Sequence, residues 1–510
     1  MFRLHSGGVV GVDGRVVEIE VDLIDHLRSF VISGLPGPGI RESRDRIQSA
    51  IGASGFRYPH DRRIVVNLAP ASDEKDGAAF DLPIALGILL ASGELEAPVA
   101  GWGCLGELAL DGRLRSVPGT IGIVAALRDA GVSRIIVPTE SLGEAQAVGE
   151  GAVIGVSDLR AAVGVLSGRR EGERAPVAPP PPARDALPDF RDVLGQTAAK
   201  RALSIAAAGE HNLLLVGPPG AGKSFLARRL PSLLPPLERE AALDLTRIRS
   251  AAGLHDGCGL VRRRPYRAPH HTVSWAGLVG GGSVPRPGEI SLAHGGVLFL
   301  DELPEFPRRC LESLREPLEE GEITIARSGA RLTLPARFIL VAAMNPCPCG
   351  FATHPTQRCR CSADRIHRYL DGLSGPLLDR IDLRVGVDGL EGEALLASTE
   401  VPDDTPALRS AVSGAIEHRR ARGQRAPNRT LDWESRRRWA ELDRGAEELL
   451  LESARELQLS TRGITRTLRL ARTCADLERS EGVRERHLLE ALELRAPRGG
   501  SGFAGWLAGR

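Results

Sequence analysis

Apolar positions along this chain follow two rhythms, and the switches between them mark out its elements. Near the start, Val16, Val17, Ile19 and Val21 interleave with Glu18, Glu20 and Asp22, the alternation of a half-buried strand, and Arg63-Ile64-Val65-Val66-Asn67-Leu68 continues in the same vein. Three uninterrupted apolar runs predict strands buried on both faces: Leu213–Val216, Val297–Leu300 and Phe338–Met344. Helical spacing predicts helices over Ile40–Ile51, Ala198–Ala208 and Phe225–Leu230, and again over Glu447–Leu459 and Ile464–Leu477. A run of Glu322–Leu334 alternating around Ser328-Gly329 reads as a β-hairpin. Residues 169–188 fit neither rhythm, since they hold many prolines and few apolar side chains, and are expected to be an extended tether. The pattern predicts an α/β domain over 1–168, an α/β domain over 189–393, a helical lid over 394–495 and a loose tail over 496–510.

The residues at the carboxyl end of each buried run carry the chemistry. Leu213–Val216 leads into Gly217-Pro218-Pro219-Gly220-Ala221-Gly222-Lys223-Ser224 and then a helix, which is the G-x-x-x-x-G-K-S phosphate-binding loop in its required setting. There, backbone N–H groups curl around phosphates at a helix N-terminus, Lys223 offers a point charge and Ser224 a ligand for Mg²⁺. The second run ends in Asp301-Glu302, a pair able to divide the work between holding the Mg²⁺ shell and polarising the attacking water. The third delivers Asn345, whose amide can orient that water. Arg380, in Leu377-Leu378-Asp379-Arg380-Ile381-Asp382, has the context of an arginine finger that reaches a neighbouring subunit's nucleotide. Arg462 is the first choice for a further phosphate-sensing arginine and Arg466 the second.

Composition narrows the functional classes. Over 510 residues the net charge is +1, so any nucleic-acid contact must come from local clusters. Lys75, Lys200 and Lys223 are the only lysines, and every other basic residue is arginine, yet a lysine stands in the phosphate loop, where a compact ammonium is needed. The longest apolar stretch, Leu82–Ala91, is far short of the roughly 20 residues that span a bilayer, and no signal-peptide core opens the chain. A cytoplasmic protein is expected.

Two stretches of the first domain, Lys75–Leu86 and Gly106–Pro138, resemble the proteolytic domain of Lon-type proteases. In that family a serine and a lysine form the dyad, but Ala79 and Ile121 stand at those places here, so the resemblance implies the fold and argues against peptidase activity. The phosphate loop, Arg267-Ala268-Pro269-His270-His271-Thr272, Pro287–Glu302 and Leu377–Asp382 together resemble the magnesium-chelatase-like AAA+ proteins. With the Lon-like domain in front, the whole chain is similar to the ComM (YifB) branch of that group. The resemblance implies a homo-hexameric ATPase using ATP and Mg²⁺, and DNA branch migration during recombination of imported single strands. Two other readings share the machinery: a chelatase-type motor driving metal insertion through a partner protein, and an ATP-regulated protease.

Arginine-bearing segments are the candidates for touching single-stranded or branched DNA. Residues 254–290, with Arg262, Arg263, Arg264, Arg267, His270 and His271, resemble an insert that projects into the ring pore; the hairpin carries Arg327 and Arg331. Ordinary surface loops are the competing reading of both, as solvated faces are for Arg419-Arg420-Ala421-Arg422 and Arg436-Arg437-Arg438. Cys347, Cys349, Cys359 and Cys361 form a C-x-C…C-x-C set that fits a structural Zn²⁺ and fits four reduced thiols equally, with His354 and His367 as substitute ligands. The other four cysteines are scattered.

Overall fold

The computed structural model describes all residues except 26–27, 73–74, 150, 174–187, 256–258, 283–285, 328–329, 353, 355–356, 389–402, 435 and 496–510. Most of the expected tether and all of the expected tail lie outside the described residues.

The first domain is built on a seven-stranded sheet. Its strands are β1 (Phe2–Val10), β2 (Asp13–Ile24), β3 (Ser29–Ser33), β4 (Arg63–Ala69), β5 (Trp102–Cys104), β6 (Arg134–Pro138) and β7 (Val153–Val156), in spatial order β3-β4-β2-β1-β5-β6-β7. The alternation read at 16–22 is that of β2, which pairs antiparallel with both β1 and β4. The helix expected over Ile40–Ile51 divides into Pro38–Arg41 and Ser43–Ala53. Ala79 and Ile121 are both buried. Residues 169–173 do not start the tether: Glu173 makes a backbone bridge to Gly155 in β7 and so belongs to this sheet's edge.

The second domain carries a five-stranded parallel sheet of β8 (Leu213–Val216), β9 (Tyr266–Arg267), β10 (Val297–Leu300), β13 (Ile339–Met344) and β14 (Leu383–Gly386). Its order is β9-β10-β13-β8-β14, and β11 (Glu322–Arg327) with β12 (Ala330–Pro335) forms the expected hairpin beside it. Because β8, β10 and β13 are parallel and in register, with Leu213 opposite Val341 and Phe299 opposite Val341, their carboxyl ends open onto one edge. Ligands bind in such crevices.

Alternate residues of the central strands face two different cores. Leu213, Leu215, Phe299, Val341 and Ala343 pack against helix Thr197–Gly209 and the C-terminal helices, among them Thr405–Ala421 and Thr461–Leu477. Leu214, Leu298, Leu300, Leu340 and Ala342 face the other core, to which the hairpin adds Ile325 and Leu332 and the first domain adds Val12. The helical region therefore shares a continuous core with the ATPase sheet. Phe225–Leu230 is not one helix: Lys223–Ala227 stops and Leu230–Leu233 restarts, with Pro231 in the first turn where its missing N–H costs nothing.

Candidate ATPase site

The carboxyl edge of the parallel sheet brings the phosphate loop, Asp301, Glu302 and Asn345 around one cavity of about 430 Å³. Gly220 and Gly222 hold positive φ angles of 78° and 86°, and open space lies where a side chain on either would project. Only glycine leaves that cradle free, and Gly222 caps the helix that begins at Lys223. The Lys223 ammonium donates to the carbonyls of Gly217 at 2.7 Å and Pro218 at 2.9 Å, and to Asn345 Oδ1 at 3.1 Å. Burial lowers its pKa, while Asp301 and Glu302 act in the opposite direction. Ser224 Oγ donates to Asp301 Oδ2 at 2.5 Å, so a hydroxyl and a carboxylate meet, an oxygen pair of the kind that suits a hard cation. This pairing fits Mg²⁺ carried in on a nucleotide.

Glu302 sits in the left-handed backbone region, at φ 53° and ψ 47°, a strained place for a non-glycine residue. Its carboxylate is half exposed to the cavity and lies 3.2 Å from His271 Nδ1. The His271 ring lies against His270, with centroids 4.1 Å apart, and edge-on to Phe306. The insert expected over 254–290 would direct His271 at DNA, and the fold sets it beside the Glu302 carboxylate. Its spacing carries no hint of this, because the segment from 254 to 290 returns to the sheet through β9 only in three dimensions.

Arg380, Arg462 and Arg466 are absent from the phosphate-loop cavity. They line a larger one of about 1080 Å³ at the opposite, amino edge of the sheet, where Asn212 precedes β8 and Asp382 precedes β14. Four-residue β8 spans roughly 13 Å between the two edges. Arg380 is buried, donating to the Pro376 carbonyl at 2.6 Å and pairing with Glu319 at 2.5 Å. Burial acts to raise the pKa of Glu319, but the Arg380 hydrogen bond and the nearby Arg462 and Arg466 charges bring it below the usual range. Arg462 is exposed; Arg466 is half-buried, and burial lowers its pKa. Asp382 beside them, wholly buried, would be raised by burial, yet the His211 hydrogen bond, the Arg429 charge and the Asn212 N–H hold it down to about 2.

Comparison with known proteins matches the same layout. Residues 19–141 match the family described as subunit ChlI of Mg-chelatase, 189–395 that of magnesium chelatase, subunit ChlI, and 403–495 its C-terminal region. The chain is 42% identical over 495 residues to the protein YifB of Escherichia coli, covering 97% of this chain and 96% of that one. It is 40% identical over 501 residues to competence protein ComM of Haemophilus influenzae, covering 97% of both. The chain belongs to the ComM–YifB family of magnesium-chelatase-like AAA+ proteins. Shorter likenesses reach the magnesium-chelatase 38 kDa subunit of Acidiphilium rubrum, 31% identical over 32% of this chain, and Lon protease 2 of Bacillus subtilis, 30% identical over 26%.

Several arginines singled out in this member of the ComM–YifB family are tied into the structure. Arg267 forms a two-bond pair with Glu289, both at 2.6 Å, and Arg264 donates to the carbonyls of Pro235 and Gly295. Arg419 donates to the Ala208 carbonyl and Arg422 to Asp476, so neither is a free phosphate contact. Arg262, Arg263 and Arg331 remain exposed. The four clustered cysteines converge, with all four sulfurs within 4.8 Å of one another. His354 does not join them, its Nδ1 accepting from the Gln357 N–H at 3.0 Å. Among the described residues, no helix is long and apolar enough to cross a membrane.

Proposed function

We propose that this chain is the subunit of a cytoplasmic homo-hexameric ring that hydrolyses ATP to move single-stranded or branched DNA, promoting branch migration when imported strands recombine. The observation that carries the ring is the separation of edges: the phosphate loop opens on the carboxyl edge of the sheet, while Arg380 and Arg462 line the cavity at the other. Within one chain these arginines lie on the wrong side of the sheet to meet its own nucleotide. A ring that docks the amino edge of one subunit on the carboxyl edge of the next completes each site, and a closed ring satisfies every subunit alike. The division into a first domain that runs on to Glu173, a second domain over 189–393 and a helical domain over 394–495 serves the same reading.

In this mechanism the Gly217–Ser224 loop receives the phosphates and Lys223 exchanges its two carbonyl partners for phosphate oxygens. Ser224 and Asp301 would hold Mg²⁺, which when bound neutralises charge developing on the phosphates. Glu302, held by its strained backbone and by His271, polarises the attacking water; Asn345, fixed by Lys223, orients it. Arg380 from the neighbour stabilises the transferring group, and Arg462 senses the change, with Arg466 its alternate.

The DNA reading is supported by the relative named as a competence protein and by the exposed Arg262, Arg263 and Arg331, which suit sequence-independent phosphate contact. Its test is strand displacement from a three-way junction by the purified protein, with and without ATP, using Lys223→Ala as the inactive comparison. A ring that hydrolyses ATP but moves no strand of any junction would return the weight to a chelatase-type motor acting through a partner protein.

A further inference from the structure

The loop between Asn345 and helix Ala363–Leu370 carries chemistry that nucleotide hydrolysis does not use. Cys347 Sγ lies 3.3 Å from Cys349 Sγ and 3.6 Å from Cys359 Sγ, Cys349 and Cys359 are 3.6 Å apart, and Cys361 completes a set within 4.8 Å. A tetrahedron of sulfurs about 2.3 Å from a central Zn²⁺ has edges of about 3.8 Å, so these thiols stand close to a coordination shell and too far apart for a bonded pair. The Cys361 N–H points at Cys359 Sγ at 3.4 Å, the kind of donor that orients a metal-bound thiolate.

The position of the cluster gives it a further consequence. Cys347 comes two residues after Asn345, and Gly350, at φ 84°, turns so tightly against Pro219 of the phosphate loop that a β-carbon there would come within 2.4 Å of the proline ring. Cys361 in turn precedes Ser362, which caps the helix that carries Tyr369 back to the backbone N–H of Asn345. Both arms of the cysteine loop therefore end on the residues that frame the γ-phosphate.

We propose that Cys347, Cys349, Cys359 and Cys361 bind one structural Zn²⁺ and that this centre braces Pro219 and Asn345 for nucleotide binding. The bracing half rests on the reading of the phosphate loop as the ATP site; the metal half does not. The full-length protein, purified without chelator, is expected to contain about one zinc per chain by plasma mass spectrometry. A Cys359→Ser/Cys361→Ser variant should lose it while Cys310→Ser, whose thiol lies elsewhere in the core, keeps it. Cobalt substitution should give the intense visible absorption of a tetrahedral thiolate site, a readout independent of activity and of how the variant folds. With its circular dichroism unchanged, the double variant should bind an ATP analogue on the order of tenfold more weakly. Absence of metal after zinc is supplied under reducing conditions, or a Cys347–Cys349 disulfide found in its place, overturns the zinc centre; unchanged analogue affinity in the metal-free variant overturns the brace. Wild-type protein that holds zinc but binds no analogue identifies the failure as that of the ATP reading.

Discussion

Arg380 and Glu319 form a buried-to-exposed ion pair at 2.5 Å, on the sheet edge remote from the phosphate loop of their own chain. The pair holds the guanidinium at the amino-edge cavity and away from its own Lys223. Arg380→Ala alone and Lys223→Ala alone should each lower ATP turnover by at least tenfold, on the order expected when a transition-state cation or a phosphate cradle is removed. Mixed together in one assembly they should regain part of it, because one interface in the mixture joins an intact loop to an intact arginine. Turnover measured across mixing ratios checks this, and no recovery in confirmed mixed rings would argue that Arg380 acts otherwise.

Glu302→Gln is expected to bind ATP with near-normal affinity while kcat falls by roughly 10²–10⁴, the contribution of a positioned base. Nucleotide binding and turnover measured on one preparation separate the two effects. Lys223→Ala should show the other pattern, with binding itself lost.

His271 Nδ1 stands 3.2 Å from the Glu302 carboxylate, and in the proposed mechanism it is a positioning residue for that carboxylate. Its replacement by Ala should lower kcat several-fold with little change in KM, and His271→Gln, which keeps a polar side chain near the carboxylate, should recover part of the loss. A kcat–pH profile is the discriminating measurement, since a residue important only for packing would leave its shape unchanged.

Burial pushes the pKa of His294 down to about 4, with Arg337 adding to the shift, and its Nδ1 accepts the Arg337 N–H at 3.2 Å, a bond only the neutral ring can take. An unfolded imidazole takes a proton near 6.5, so the folded state is favoured in full above that value and loses stability as pH falls from about 6.5 toward 4. The loss amounts to about 3 kcal/mol. Urea midpoints of wild type and His294→Gln over this range should converge as pH falls, since glutamine has no proton to gain.

Legibility tracked chain locality. Gly217–Ser224, Asp301, Glu302 and Asn345 could be read because each sits at the end of an apolar run, and parallel register then puts them at one edge. The hairpin was legible because its pairing is local, running from Glu322 with Pro335 to Arg327 with Ala330. His271 was not, since its partner is 31 residues away and meets it only through the return to β9. Nor could the arginine pattern distinguish Arg267, bound to Glu289, from exposed Arg262, because burial and pairing are tertiary properties. The shared core of the ATPase sheet and the C-terminal helices, which sets Arg462 and Arg466 beside Arg380, likewise arises from contacts of long sequence separation.

The central claim is that ATP turnover here is coupled to DNA. Steady-state ATPase should be measured without DNA and with single-stranded, duplex and three-way-junction DNA at several salt concentrations, for wild type and for Arg262→Ala/Arg263→Ala/Arg331→Ala. The account predicts stimulation by single-stranded or branched DNA that fades steeply as salt rises, and a triple variant that keeps basal turnover but loses most of the stimulation. Turnover indifferent to every DNA form at every salt concentration would contradict it.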